Sequence, residues 1–445
     1  MKTHRSEDII AAVYQAGVIG AGGGGFPTHA KLKAQVDTIV VNGSECEPLL
    51  KSDKAVMLQK ADQLIMGLHF SMQATGAKRG IIGVKSHYAD VVEALEKALP
   101  DDKSITLLLL DNYYPAGDEF ILVYEATGRI IPEGGIPLHV GVVVHNAISL
   151  IQIHDAMNGK PVTERAVTIV GEVKNPQVIT VPIGTSYRTL IELAGGVTTQ
   201  HPVLIDGGPM MGRMVDDWNN GINKTTSGVL VLPDDHFVIR QAKKPLEQVM
   251  KQAHSACCQC FRCTDLCPRN LLGHAIYPHK TMRSISYREA EQSENITSAF
   301  LCSQCGMCEL VACDFMRLSP RRIYAAYRKA LVEKGIKNPH NKKIEQVQSS
   351  FIDRKVSIPM MLRKLDLLKY NVTIPDKGSK IVKQVRIHLN KHIGMSAKPI
   401  VRVNQSVHRC DVIAKTPDGQ LGAIYHAPID GMVTRIDEHI IEITQ

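Results

Sequence analysis

Nine of the chain's eleven cysteines fall between residues 256 and 314, in two spaced runs. The first reads Cys257-x-x-Cys260-x-x-Cys263-x-x-x-Cys267-Pro268. The second reads Cys302-x-x-Cys305-x-x-Cys308, then four residues, then Cys313. Three thiolates at i, i+3 and i+6 wrap one corner of an iron–sulfur cubane, and a later Cys followed by Pro completes the bacterial [4Fe–4S] pattern. In two-cluster modules of that kind the fourth Cys of each run ligates the other cluster. The spacing therefore assigns Cys257, Cys260, Cys263 and Cys313 to one [4Fe–4S] cluster, and Cys302, Cys305, Cys308 and Cys267 to a second. Structural zinc prefers paired C-x-x-C units over triplets, and spacings this short and regular do not make a disulfide framework. The chemistry is one-electron transfer. The second run departs twice from the pattern, with one extra residue before Cys313 and Asp314 in place of the proline. Cys258 is out of phase and reads as a neighbour, not a ligand.

A second stretch with chemical meaning is Gly20-Ala21-Gly22-Gly23-Gly24-Gly25-Phe26-Pro27-Thr28. It contains a literal G-x-G-x-x-G, but a helix rather than a strand is expected before it, so the Rossmann context is missing. A loop almost without side chains still lets backbone N–H groups approach a phosphate, with Lys31 placed to meet the anion. A flexible glycine linker is the alternative. Three further polar loops follow: Asn42-Gly43-Ser44-Glu45-Cys46-Glu47-Pro48, Asn112-Tyr113-Tyr114-Pro115-Ala116-Gly117-Asp118-Glu119, and the pair His145-Asn146. Two of them sit at the expected ends of apolar strands, where an open α/β sheet forms its ligand crevice.

The elements that must position these loops are legible as periodicity. Helices are expected at 6–16, 28–36, 89–99 and 120–127, and strands at 38–41, 81–84, 104–110 and 140–144. The stretch 166–233 is β-rich, with strands at 167–170, 177–181 and 203–205. The 269–300 segment between the cysteine runs predicts a helical insertion. A basic helical stretch at 320–348, carrying Arg321, Arg322, Arg328 and Lys329, reads as a solvated face or a docking surface for an acidic partner. Short β segments fill 383–444; the histidines there (His388, His392, His408, His426) read as ordinary surface or core residues, and Cys410 as a buried thiol.

At 445 residues the chain has room for two to four domains. Only 5% of residues are aromatic, while Gly numbers 34, which suits an α/β protein rich in backbone-lined turns. No apolar run reaches membrane-spanning length, and residues 1–10 lack the hydrophobic region of a secretion signal. Many reduced cysteines without an export signal point to the cytoplasm. A net charge of +8 is modest; it favours anionic cofactors or acidic partners and does not indicate nucleic acid.

Together, the segments 20–28, 42–48, 114–119 and Asn146 resemble, in order, the FMN- and NADH-binding motifs of the complex I flavoprotein subunit, and more closely those of the RnfC electron-input subunits. The resemblance implies a multidomain α/β chain: an FMN/NADH domain at 1–160, a β-grasp (SLBB) domain at 161–240, a ferredoxin-like helical domain with two [4Fe–4S] clusters at 241–370, and a lipoyl-like sandwich barrel at 371–445. It further implies that Gly22, Gly23, Gly24, Gly25, Phe26 and Lys31 hold the FMN phosphate and the dinucleotide. Asn42, Glu45, Glu47, Tyr114, Gly117, Glu119 and Asn146 would line the flavin and nicotinamide. Ser44 stands where complex I has an acidic residue. No lipoyl Lys is evident in the barrel, and the β-grasp domain is expected to be a structural spacer.

A hydride donor and one-electron clusters need a flavin between them. The expected activity is transfer of electrons from NADH through FMN and two [4Fe–4S] clusters to a low-potential acceptor, with no catalytic side chain. A barrel at the C-terminus is similar to the cobalamin reductases of propanediol-utilisation microcompartments. That likeness implies cobalamin as substrate, an adenosyltransferase or other microcompartment proteins as partners, and residence inside the microcompartment. The residues themselves carry no corrin signature, since no D-x-H-x-x-G motif occurs. An RnfC-type subunit of a membrane ferredoxin:NAD oxidoreductase, or a non-catalytic electron-transfer scaffold, are the alternatives.

Overall fold

The computed structural model describes residues 4–287 and 289–445. Its first unit is built on a four-stranded parallel sheet in the order Ile105–Leu110, Arg79–Lys85, Thr38–Gly43, Val142–Asn146. Side chains alternate across a strand, and here the alternation feeds two cores. Ile39, Val41, Ile82 and Val84 face the helices Ser6–Gln15, Ala61–Thr75 and Ala147–Met157. Val40, Val142, Val144 and Leu110 face Ile121 and Leu122 of the helix Glu119–Thr127. A parallel sheet covered on both sides reads as continuous apolar runs, as Thr38–Gly43 does. All four strands end at the same edge, and the polar loops named above are gathered there.

The second unit is a six-stranded mixed sheet, ordered Asp376–Ser379, Gln177–Pro182, Glu164–Gly171, Gly228–Pro233, Pro202–Asp206, Arg213–Met214. Val229 and Val231 pack with the helix Tyr187–Leu193 on one face. Leu230 and Leu232 pack on the other against Met307, Leu310 and Val311, next to the second cysteine run. The sheet is thus the floor under a cluster loop. Its edge strand Asp376–Ser379 is contributed by the chain on its way into the C-terminal barrel.

The third unit packs the helices Leu246–Ala256, Pro278–Tyr287 and Pro320–Glu333 around the cysteine loops. The basic helix expected over 320–348 stops at Glu333, because Gly335 takes a left-handed φ of +70°. From there the chain runs back along the first unit, where Val356–Ser357 pairs antiparallel with Tyr113–Tyr114. The last unit joins a four-stranded and a three-stranded sheet around one core. Ile19, from the first unit, is part of that core. Cys410 is exposed at a φ of +79°, not buried as expected, because it lies in a surface turn between strands. Among the described residues no helix is long and apolar enough to cross a membrane.

Candidate functional site

The glycine loop is held at both ends. Ile19 bridges Pro27, and Gly20 N–H donates to Phe26 O at 2.8 Å. Ser149 Oγ accepts the Ala21 amide at 2.9 Å. The helix expected over 28–36 is a single turn, Thr28–Lys31, after which the chain leaves to enter the first strand. So short a helix contributes little dipole, and the anion-binding capacity rests on the loop itself. Among the described residues the amides of Gly22, Gly23 and Gly24 donate to no internal acceptor. A Cβ at Gly23 or Gly24 would meet nothing within 4 Å. Open space over free N–H groups is what a phosphate needs.

The other predicted residues divide into two sets. Lys31, Glu119, His145 and Asn146 surround the crevice. Lys31 Nζ donates to Val144 O at 2.9 Å and stands 4.0 Å from Glu119 Oε1. Burial lowers the Lys31 pKa and raises that of Glu119. Burial, with Lys31 nearby, holds His145 neutral by pulling its pKa down to about 3. Among the described residues its Nε2 has no partner, nor has Thr28 Oγ1. Asn146 lies beneath Gly22, its Cβ 3.4 Å from where a Cβ there would sit.

Asn42, Glu45 and Glu47 tie neighbouring loops together. Asn42 Nδ2 donates to Gly117 O at 2.8 Å, and its Oδ1 accepts from Ser44. Gly117 has no alternative at this contact, since a Cβ would fall 2.3 Å from Ser44 Oγ. Glu45 accepts from Ser52 Oγ and from the amides of Asp53 and Lys54, closing the start of the helix Ser52–Gln59. Glu47 turns to the β-grasp unit and accepts from the amides of Met210 and Met211 at 3.1 and 2.8 Å. Burial raises both acids to about 7, with Asp53 adding to the shift at Glu45. Tyr114 is fully buried and its hydroxyl donates to Cys305 O at 2.7 Å. The flavin-side loop thereby touches the second cysteine run directly.

The fold gathers the cysteines into two groups. Cys263 lies among Cys313, Cys257 and Cys260, and Cys308 among Cys302, Cys305 and Cys267. In each run the residue two after the first Cys, Gln259 or Gln304, is left-handed, and so is the residue two beyond that, Phe261 or Gly306. Gln259 Nε2 donates to Cys257 Sγ at 3.1 Å and Gln304 Nε2 to Cys302 Sγ at 3.2 Å. The two loops are copies of one conformation. The extra residue before Cys313 is absorbed by a π-helical turn, Met307–Ala312, whose i→i+5 pattern takes one more residue per turn than an α-helix. Asp314, in the place of the usual proline, pairs with Arg262 at 2.7 Å and with Lys364.

Burial, together with the neighbouring cysteines, raises the thiols of Cys263 and Cys305 to about 12. Buried thiols crowded in this way ionise together only around a strongly cationic core, which is what iron supplies. The residues present fit two clusters. The groups differ in setting. Cys302, Cys305, Cys308 and Cys267 form the inner one, with Arg269 beside Cys305 and Cys267, and Arg321 beside Cys308. Arg269 is paired with Asp118, a buried bond to the flavin-side loop. The outer group, Cys257, Cys260, Cys263 and Cys313, borders the exposed Cys258, Phe261 and Phe315.

Asp53 and Arg165, both buried behind the glycine loop, were not legible as site residues. Arg165 follows Glu164 at the start of the strand Glu164–Gly171, and nothing local sets it apart from an ordinary surface charge. The basic run hid a similar case: Arg321 turns inward to Glu309 at 2.7 Å and to Met210 O.

Four family profiles match in succession: a Nuo51 FMN-binding domain over 13–155, an SLBB domain over 166–213, a 4Fe-4S dicluster domain over 256–316, and an RnfC barrel sandwich hybrid domain over 373–445. The chain is a multidomain α/β protein with these four parts. One component of the Na(+)-translocating ferredoxin:NAD(+) oxidoreductase complex of Acetobacterium woodii is 36% identical over 278 residues, covering 61% of this chain and 60% of that protein. The cobalamin reductase PduS of Citrobacter freundii is 40% identical over 98% of this chain and 96% of its own length. That of Salmonella typhimurium is 40% identical over 99% of this chain and 97% of its own. Four domains in one order, aligned end to end at this identity, show that the chain belongs to the cobalamin reductase PduS family.

Proposed function

We propose that the chain is an NADH-dependent cobalamin reductase, taking cob(III)alamin to cob(II)alamin and onward to cob(I)alamin for coenzyme B12 recycling in propanediol utilisation. Bound FMN would supply the exchange between two-electron hydride chemistry and the one-electron transfer that [4Fe–4S] clusters would carry. Gly22, Gly23 and Gly24 would hold the FMN phosphate by their amides, and Lys31, Glu119 and Asn146 would border the flavin ring and the dinucleotide. Burial keeps His145 neutral beside them, so the crevice presents a hydrogen-bonding imidazole and not a second cation. Cys302, Cys305, Cys308 and Cys267 would carry the cluster next to the flavin, and Cys257, Cys260, Cys263 and Cys313 the cluster next to the surface.

The observation that carries this reading is the contact between Tyr114 and Cys305. It joins the flavin-side loop to a cluster loop through one side chain, inside a chain aligned end to end with cobalamin reductases. Adenosyltransferase or other microcompartment proteins are the proposed partners, and a bacterial microcompartment the proposed location. The test is anaerobic NADH-dependent reduction of cobalamin by the isolated chain, with ferredoxin as competing acceptor. Corrin reduction outpacing ferredoxin reduction supports the reading. Reduction of ferredoxin alone moves the activity to an RnfC-type electron input.

A further inference from the structure

The β-grasp unit supplies a residue to the flavin site. Arg165 stands near the start of its strand Glu164–Gly171 and is only 3% exposed. Its side chain crosses into the first unit, where Nη2 donates to Ala21 O at 3.2 Å, while Nε donates to Thr226 O at 2.9 Å. Ala21 immediately precedes Gly22, so the guanidinium grips the base of the glycine loop from behind. The opposite side of Ala21 is held by Ser149.

The nearest carboxylate is Asp53, with Oδ1 3.6 Å from Nη2. Asp53 Oδ2 accepts from Asn146 Nδ2 at 2.9 Å, and Asn146 underlies Gly22. Among the described residues Arg165 Nη1 and Asp53 Oδ1 are buried and have no hydrogen-bond partner. Arg165 and Asp53 form a buried ion pair too long for a hydrogen bond, and the unpartnered Nη1 is a buried donor that a further anion would satisfy. On the same loop, among the described residues, the amides of Gly22–Gly24 have no internal acceptor, and a Cβ at Gly23 or Gly24 would meet nothing within 4 Å. A guanidinium behind them adds a fixed positive potential where the phosphate would sit, in a setting where burial weakens screening.

We propose that Arg165 is a positioning residue of the flavin site, setting the glycine loop through Ala21 and favouring the phosphate of FMN over a flavin that lacks it. This deepens the flavin half of the proposed function and is independent of which acceptor receives the electrons. The β-grasp unit is then a working part of the cofactor site and more than a spacer.

The test uses the full chain, stripped of flavin anaerobically with its iron retained, and titrated separately with FMN and with riboflavin. Arg165→Met is expected to weaken FMN binding about tenfold while riboflavin binding stays within about threefold, the size of one charge-assisted contact. Asp53→Asn removes the partial counter-charge and is expected to move the FMN-to-riboflavin preference the opposite way. Iron content, unchanged in both, reports that the fold persists. If Arg165→Met does not accumulate with full iron, Arg165→Gln, which keeps a hydrogen-bond donor but not the charge, decides the matter by the same ratio. An equal loss of both flavins, or no loss of either, makes Arg165 a plain domain clamp and overturns the proposal. Failure of corrin reduction with the flavin preference intact would count against the acceptor alone.

Discussion

Glu47 separates two roles that the sequence does not distinguish. Its motif suggests a flavin contact, whereas its carboxylate accepts from Met210 and Met211 of the β-grasp turn. The connection continues: Arg321 donates to Met210 O and pairs with the fully buried Glu309 on the π-turn that holds Cys308. Glu47→Ala removes both acceptors. The Met210 amide, in a residue only 1% exposed, loses a bond to a charged group, about 1.5–3 kcal/mol. Met211 is 52% exposed and its amide regains water, so it adds under about 1 kcal/mol. The expected sum is about 2–4 kcal/mol, which at a denaturant slope of about 2–3 kcal/mol per molar lowers the urea midpoint by about 1 M. The assay is urea unfolding followed by flavin fluorescence, with flavin and iron content measured beforehand. Both contents should match the unaltered chain. Flavin missing from Glu47→Ala at an unchanged midpoint would refute the bracket and return Glu47 to the flavin crevice. The pH dependence gives a second reading. Burial raises the folded pKa of Glu47 to about 7, so its contribution is fully present below about pH 4.5 and lost as pH rises through about 7. Glu47→Gln should flatten the decline in stability between those limits.

Cys305→Ala and Cys260→Ala should each remove about half the iron; an unchanged iron content in either would sink that assignment. Iron left in Cys305→Ala belongs to the outer group beside exposed Cys258, and a chelator should strip it faster than the iron left in Cys260→Ala. Gly24→Val places a side chain where the protein has no atom within 4 Å, so it should cost little stability but empty the flavin site with iron retained; retained flavin would move the site elsewhere. Tyr114→Phe leaves Cys305 O without its donor, at about 1–3 kcal/mol of stability. The fraction of iron–sulfur absorbance bleached by NADH in the first turnover should then fall at full flavin content, and an unchanged fraction would show that the contact is not part of the electron route.

Chemistry written in short spacings was legible before any fold was known. Three cysteines three residues apart imply a cluster corner from spacing alone, and a run of glycines implies backbone amides open to a phosphate, although Ser149 and Arg165 hold that loop from far along the chain. Apolar runs likewise placed strands at 38–41, 81–84 and 104–110, which the structure has at Thr38–Gly43, Arg79–Lys85 and Ile105–Leu110. Tertiary structure decided everything that depends on which loops meet. Asn42, Glu45 and Glu47 sit in a flavin motif yet spend their polar atoms on Gly117, the helix Ser52–Gln59 and the β-grasp turn. Cys313 reaches the first run because the chain winds as a π-turn, a choice made by the packing of Met307, Leu310 and Val311 against the β-grasp sheet. Arg165 arrives at the glycine loop from a strand 144 residues away in sequence, and no local pattern marks it. A buried charge is placed by the surroundings that offset its desolvation, and those exist only once the units have packed.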